Sequence, residues 1–556
     1  MDLQRYIFSF LGALLIAGSA AGQDVTVTTS STRSAFPSKP QGTIMELTGE
    51  MRGLWMQTAS VSPLTNWVSI SGEVFNVKDF GAKGDDTTND APAIQAAINA
   101  ARTVAGSGSA SFGAHAMVVY FPPGVYRLGA TLQLGAVNDA GPNTLELRGS
   151  AFVGARSGSI LHVTDKDRDF IDVSWANGSF SIINLGFWGA RTEDPLFSGT
   201  GDAIVSSALV ANDGRIERNW FVDLPNAGIN VTGSGTTGGL HNYHINDNAF
   251  ERTAYAIKLD RGYRNEIQNN RFFANQVGIQ ITQGSWNHII GNTFTQNGKS
   301  VVIKHDTASG IGPNRGNQIS SNMFENGQDT DVTLTGPAGQ ATNTAASPNG
   351  IMATLIEDNT FDHGQRSAIQ VSSATDTIIS GNQMTDCNQA NASYACIDVT
   401  DYSDGTVLNG NVNTVDPNTN VPRTPVGASF GANTTRNIIG INKLYGTTSP
   451  IQIPWASATQ HMLVGTLVTM APETGSCGFR FWADTASRSG AYNVNFRVKR
   501  ATTPTSVTLD CTNGYRANVT TNSPFATNLT VDGFRFNITT AAAGDAYAVD
   551  CTYTVQ

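Results

Sequence analysis

The stretch Ile245-Asn-Asp-Asn248-Ala-Phe250, followed by Ile267-Gln-Asn-Asn270-Arg-Phe272 and Ile289-Ile-Gly-Asn292-Thr-Phe294, repeats one template at a step of 22 residues. The template is an apolar residue, two free positions, Asn or Leu, one free position and a large apolar residue. Working outward, it recurs as Ile182-x-x-Leu185-x-Phe187, Ile216-x-x-Asn219-x-Phe221, Ile319-x-x-Asn322-x-Phe324, Ile356-x-x-Asn359-x-Phe361 and Ile379-x-x-Asn382-x-Met384. The steps run from 22 to 37 residues, and a self-similar period of this size marks a stacked repeat architecture. Behind most of the Phe positions lies a second apolar doublet, as in Ile229-Asn-Val231, Ile257-Lys-Leu259, Ile279-Gln-Ile281, Ile369-Gln-Val371 and Ile397-Asp-Val399. Such alternation reads as strands with one buried face, and two or three of them per repeat leave no room for a helix. Each repeat is therefore one coil of a parallel β-solenoid, stabilised by its neighbours because no coil can bury its apolar face alone. The asparagines are expected at turns, in a left-handed conformation and bonded to their own backbone.

A chain of 556 residues is too long for one ordinary domain. With 57 Gly and only 14% charged residues, the surface is built from Asn, Thr, Ser and Gln, which suits neutral polar ligands. A net charge of −10 argues against nucleic acid, whose phosphates need concentrated Lys and Arg. Five cysteines do not make a disulfide scaffold. Cys387 can pair with Cys396 and Cys511 with Cys551, which leaves Cys477 free. No spacing suggests a metal site, and no cofactor is expected.

Four segments follow. Residues 1–22 carry an apolar run, Ile7 to Ala17, too short to span a bilayer; it reads either as a cleaved secretory signal or as a retained apolar segment. Residues 23–72 are Ser/Thr-rich with Pro37, Pro40 and Pro63 and read as an exposed neck, with one short helix around Ile44 to Met56. The solenoid occupies 73–440, opened by an amphipathic helix from Ala91-Pro92 that covers its first coil. Residues 441–556 hold alternating runs such as Tyr492 to Val498, Ala517 to Thr520 and Phe534 to Ile538, which suggest a β-sandwich.

The run Asn76-Val-Lys-Asp-Phe-Gly-Ala-Lys-Gly-Asp85, with Asn89-Asp90, Ala93-Ile-Gln-Ala-Ala-Ile98 and Val119-Tyr-Phe-Pro-Pro-Gly-Val-Tyr126, resembles the opening of the pectate-lyase-like superfamily, which includes bacteriophage tailspike depolymerases and polygalacturonases. Motif and coils cover about residues 74 to 440. The resemblance implies an all-β, right-handed parallel β-helix acting on a polysaccharide. Polygalacturonase identity is disfavoured, because Ile257-Lys258 lacks the Arg of that family's Arg-Ile-Lys and His363-Gly364 lacks its expected partners. The order neck, cap, solenoid and terminal sandwich is most like a tailspike, and it implies a homotrimer, extracellular on a phage tail or baseplate. A cell-secreted enzyme is the alternative owner.

Coil alignment converts sequence distance into spatial distance, at about 4.8 Å per coil. The position before the inward Ile reads Arg215, His244, Glu266, His288 and Gln318, with Asn242, Arg264 and Trp286 nearby and Tyr243 and Tyr263 alongside. Aromatic faces stack on sugar rings, while Arg and His give directional hydrogen bonds, so this column is a candidate sugar groove. The position after the Phe reads Glu251, Phe273, Thr295, Glu325, Asp362 and Thr385. Glu325 and Asp362 then stand about 5 Å apart, close enough for a retaining carboxylate pair in which one carboxyl's pKa is raised. A third group is Lys258, Asp260 and Arg261 with Lys304, His305 and Asp306. There Lys304 comes level with Asp260 two coils away, about 9.5 Å, and if Asp260 and Asp306 face one cleft, their spacing would fit an inverting hydrolase. A lyase would instead need a base and a cation, which His244, His288, Lys258 and Arg264 can supply. Hydrolase and lyase stay open, as does a non-catalytic glycan-binding spike.

Overall fold

The computed structural model describes residues 74–444 apart from 106–116, 136–144, 151–156, 175–178, 192–196, 234–238, 306–313, 338–349, 390–393, 415–425 and 432, together with flanking strands. The coils build three long parallel sheets of 14, 12 and 13 strands, most coils contributing one strand to each. Sheet I runs from Val74–Asn76 to Met462–Leu463, sheet II from Asp85–Asn89 to Val412–Thr414, and sheet III from Leu132–Gln133 to Ser449–Gln452. This is a right-handed parallel β-helix. Ile245, Ile267 and Ile289 lie directly in register, as do Phe250, Phe272 and Phe294.

The interior follows from the template. Phe187, Phe221, Phe250, Phe272, Phe294, Phe324 and Phe361 form one column of parallel rings, with centroids 4.5 to 5.2 Å apart. Each fully buried ring contributes roughly 1.5–3 kcal/mol. Met384 continues the column where the last Phe gives out.

The template asparagines do something other than the sequence reading expects. The left-handed residue is the one before each of them: Arg218, Asp247, Asn269, Gly291, Ser321, Asp358, Gly381 and Gly410 all have positive φ. That reversal turns the next side chain inward, so Asn219, Asn248, Asn270, Asn292, Asn322, Asn359, Asn382 and Asn411 are buried, and Asn442, which follows Ile441, is buried as well. Asn270 is representative. Its Nδ2 donates to Asn292 Oδ1 at 3.0 Å and to the Ile245 carbonyl at 2.7 Å, while its Oδ1 accepts from the N–H and Nδ2 of Asn248. The bonds tie neighbouring coils and leave no side-chain amide of this ladder unpaired, which is the condition for burying one.

The helix α1 (Ala91–Ala105) closes the open end, burying Ile94, Ala97, Ile98 and Ala101 against the first coil. Asp90 fixes its start by accepting from the N–H groups of Lys83 and Gly84 at 2.7 and 2.9 Å.

Three readings need correction or placement. Residues Ile44–Leu47 and Gly53–Gln57 form an antiparallel pair within a four-stranded sheet, where the sequence suggested a helix. Gly49 and Gly53 are poor helix residues, and β-prone Trp55 and Ile44 prefer the extended form. The solenoid sheets continue past 440, through Ser449–Gln452 and Met462–Leu463. Beyond lie two antiparallel three-stranded sheets. Cys387 and Cys396 form a disulfide. In the C-terminal region Cys551 stands on a middle strand opposite both Cys511 and Cys477, so register offers Cys551 two partners. The apolar run 7–17 lies outside the described residues.

Candidate functional site

The outer face of sheet I keeps the expected register: Arg215, His244, Glu266, His288 and Gln318 stand on consecutive coils, followed by Leu355, Ile378, Val407 and Ile438. His244 Nδ1 lies 2.8 Å from Glu266 Oε2, with both side chains nearly half exposed. His288 stands on the other side of Glu266, one coil on. Gln318 Nε2 donates to Glu357 Oε1 at 2.8 Å, and Arg215 lies near Glu146 and Glu217.

Beside this column runs the turn from sheet III to sheet I. Asn242, Arg264 and Trp286 occupy equivalent left-handed positions, with Gly316 next. Trp286 is 45% exposed, and its ring lies against Gly316, where an added Cβ would come within 2.3 Å of the indole. Glycine is required there both for that approach and for φ of +65°. The Arg264 guanidinium sits 5.1 Å from the Tyr263 ring centre, and both are open to solvent. Tyr243 is different. Its backbone follows left-handed Asn242, so its side chain turns inward and is fully buried, its hydroxyl accepting from the Phe180 N–H at 3.1 Å. Burial holds that hydroxyl's pKa far above its usual range. Tyr243 therefore belongs to the core and offers no ring to a sugar.

On sheet II, Glu251, Phe273, Thr295, Glu325, Asp362 and Thr385 are in register. Glu251 is paired with Arg271. Glu325 accepts from Thr295 Oγ1 at 3.2 Å, and Asp362 Oδ1 lies 2.6 Å from His363 Nδ1. His363 Nε2 is 4.0 Å from Asp386 Oδ2, which also accepts from Gln389 Nε2 at 2.9 Å. Sequence reasoning set His363 aside for want of partners and missed Asp386. The signal was present in the step from 363 to 386, which makes the two residues equivalent on consecutive coils.

On sheet III, Asp260, Thr282 and Lys304 line up, two coil steps from end to end as expected, with Lys258 level with Gln280. Lys258 Nζ lies 5.4 Å from the Tyr255 ring centre, and Asp260 lies 3.8 Å from Arg261. His305 is only 7% exposed, so a polymer on the surface has little access to it. Asp306 lies outside the described residues. Sequence reasoning also missed Asp202, which accepts from Asn230 Nδ2 at 2.7 Å and from the Ala227 N–H at 2.8 Å. Burial pushes its carboxyl up to about 7.

Among the described residues, no group of three or more His, Cys, Asp or Glu is arranged to hold a metal ion, and no helix is long and apolar enough to cross a membrane.

Residues 74–144 match the family model described as rhamnogalacturonase A/epimerase, pectate lyase-like, and residues 189–327 match that of a periplasmic copper-binding protein. The chain is 40% identical over 89 residues to mannuronan C5-epimerase AlgE3 and 50% identical over 54 residues to alginate lyase 7, both from Azotobacter vinelandii. These stretches are 16% and 10% of this chain and span only 4% and 5% of the relatives' own length. Among solved structures, the A-module of Azotobacter vinelandii mannuronan C-5 epimerase AlgE4 matches at TM-score 0.50 and 20% identity, covering 70% of this chain and 99% of that one. DFA-IIIase from Arthrobacter chlorophenolicus A6 without its lid matches at TM-score 0.52 and 14% identity, covering 69% and 99%. At such identities the likeness establishes the fold. Stacked coils and structural neighbours together establish a right-handed parallel β-helix, whose opening at residues 74–144 is similar to the pectate-lyase-like family model.

Proposed function

We propose that this protein is a polysaccharide depolymerase whose substrate lies along the outer face of sheet I and is cut by elimination at a uronate residue. The observation that carries the reading is the His244, Glu266 and His288 stack, with its 2.8 Å contact, beside exposed Arg264 and Trp286. Elimination needs a base for the proton next to the uronate carboxylate, a cation for that carboxylate and an acid for the leaving oxygen. His288 is assigned the base. It takes the C5 proton, the electron pair forms the C4–C5 double bond, and the C4–O glycosidic bond breaks. His244, oriented by Glu266, gives a proton to the departing oxygen. Arg264 pairs with the carboxylate and Trp286 carries a sugar face. The relatives named for mannuronan and alginate support a uronate polymer.

A second reading rests on sheet II, where the register neighbours Glu325 and Asp362, with His363 attached, suit hydrolysis by paired carboxylates. We further assign the protein to the tailspike type, extracellular and homotrimeric, from the order of N-terminal sheet, cap, solenoid and C-terminal antiparallel sheets. Light scattering then gives three times the chain mass of 58.8 kDa.

Purified protein is incubated with poly-mannuronate and a panel of capsular and lipopolysaccharide glycans. Elimination yields fragments with an unsaturated ring absorbing in the ultraviolet, and Glu266→Gln lowers kcat about a hundredfold. New reducing ends without unsaturation would transfer the reaction to Glu325 and Asp362. Binding without fragments would make the protein a recognition spike.

A further inference from the structure

The groove column on sheet I does not end at Gln318. It continues in register as Leu355, Ile378, Val407 and Ile438, where side chains of the same outward position are all apolar. Ile378 is 42% exposed and Ile438 38%, an unusual placement on a surface made mainly of Asn, Thr and Ser. The column is one residue wide. On one side it is flanked by Ser320, Glu357, Ser380 and Asn409, and on the other by the turn residues Asp376, Gly405 and Arg436.

Width decides what such a stripe can hold. A stable contact between protein surfaces buries about 800 Å² per partner, with a broad apolar centre, whereas this stripe is a single row of side chains about 14 Å from first to last. A row of that shape fits one polymer chain lying along the solenoid axis, with the flanking Ser, Asn, Asp and Arg side chains meeting its hydroxyl groups. Side-chain type decides the chemistry. Trp286, higher on the same face, offers a flat ring for a flat pyranose face. Branched Leu, Ile and Val side chains cannot lie flat on a ring, and they pack instead against methyl groups.

Resting on the sheet I groove as the polymer site, we infer that the glycan carries methyl groups, as O-acetyl esters or 6-deoxy sugars, and that the sugars bearing them occupy the stripe from Leu355 to Ile438 while the reacting residue sits at His244 to His288. The stripe acts as a specificity-determining extension, touching substrate away from the bond that breaks.

The test measures binding by calorimetry with the full chain and three polymers: mannuronan, the same mannuronan chemically O-acetylated, and a 6-deoxyhexose glycan. Wild type is expected to bind at least one methyl-bearing polymer more tightly than plain mannuronan. The exposed double substitution Ile378→Ser with Ile438→Ser should weaken that binding about tenfold, by loss of apolar contact, so that the preference over plain mannuronan disappears while the melting temperature stays unchanged. The two methyl-bearing polymers separate acetyl from deoxy recognition. Equal or absent binding of methyl-bearing and methyl-free polymers overturns the inference, as does a change in light-scattering mass of the variant, which would make the stripe a contact between copies. Methyl-dependent binding without any cleavage would sink the enzymatic reading and leave this one standing.

Discussion

Two stretches of the solenoid, residues 242–320 and 353–440, are built from one template and differ along one edge. In the first, the turn entering sheet I carries Asn265, Asn287 and Asn317, whose amides form a buried ladder, and the outer column reads His244, Glu266, His288, Gln318. In the second, the same turn carries Thr354, Thr377 and Thr406 before returning to Asn437, and the outer column reads Leu355, Ile378, Val407, Ile438. Both changes fall at the same coil step, from 317–318 to 354–355. The Asn219 to Asn442 ladder and the Ile column run through both stretches without a break in type other than Leu408. The Asn219 to Asn442 ladder and the Ile column are therefore shared, and the stretches differ at one buried turn position and at the outward column beside it. A ladder position is repeated because each coil needs it; an outward position is free to differ, so its pattern is where a functional signal is sought.

The strongest way to break the comparison is at what the stretches share. Asn292→Ala takes the acceptor from the Asn270 N–H and the Nδ2 donor from the Ile267 carbonyl, and removes one of the two bonds made by Asn270 Nδ2 and by Asn322 Oδ1, and buried groups weakened in this way cost about 4 kcal/mol in total. Asn382→Ala, in the second stretch, should cost nearly the same, because its bonds to Asn411 and the Ile356 carbonyl repeat the pattern. Denaturant unfolding monitored by circular dichroism checks both. A much smaller loss at either position would mean that the ladder is not the common support. By contrast Glu266→Gln, on the open face, should leave the unfolding midpoint unmoved while it removes activity.

Seen from these residues, the fold was legible because solenoid interiors repeat: Ile, Asn and Phe at fixed offsets gave the coil and its register before any coordinate. The same arithmetic gave the His244, Glu266 and His288 stack and the Glu325, Asp362 pair. It failed where alternation is interrupted. A left-handed residue resets which face the next side chain takes, so Tyr243 was assigned to the groove and belongs inside, and the ladder asparagines were assigned the strained conformation that their predecessors hold. Burial without an apolar side chain was also illegible. Nothing in local sequence marks Asp202 or Asp331 as buried carboxyls, because the groups that enclose them come from other coils.

Asp331 sharpens the comparison at the seam between the stretches. It accepts from Ser300 Oγ at 2.8 Å beneath Gly327, and burial pushes its carboxyl up to about 7. Its folded-state pKa stands above the ordinary carboxylate value, so the fold prefers the protonated form. The stability this group lends is complete below about pH 4 and is lost as pH rises toward 7. The loss is about 4 kcal/mol. Asp331→Asn, which mimics the protonated acid in shape, should reduce the slope of the stability profile across that window, leaving the share that buried Asp202 contributes, and leave the variant more stable than wild type at pH 8. A wild-type profile already flat from pH 4 to 7 would mean that the carboxyl titrates normally and that the seam is open to water.

The smallest expected effect lies at the threonines themselves. The Oγ1 atoms of Thr354, Thr377 and Thr406 are buried without a hydrogen-bond partner in the protein, whereas the asparagines that hold the same position in the first stretch spend their side-chain amides on the coil below and the coil above. A hydroxyl that was desolvated and left unpaired gains nothing from being polar. Thr377→Val keeps the β-branched shape and removes the hydroxyl, so it should be neutral or stabilising by up to about 1 kcal/mol. The reciprocal change, Asn287→Val, removes an amide that bonds Asn317 and the Gly262 carbonyl at 3.0 Å each and should destabilise. If Thr377→Val proved as costly as Asn287→Val, the threonines would be bonded after all and the two stretches would differ in residue type without differing in how the turn is held.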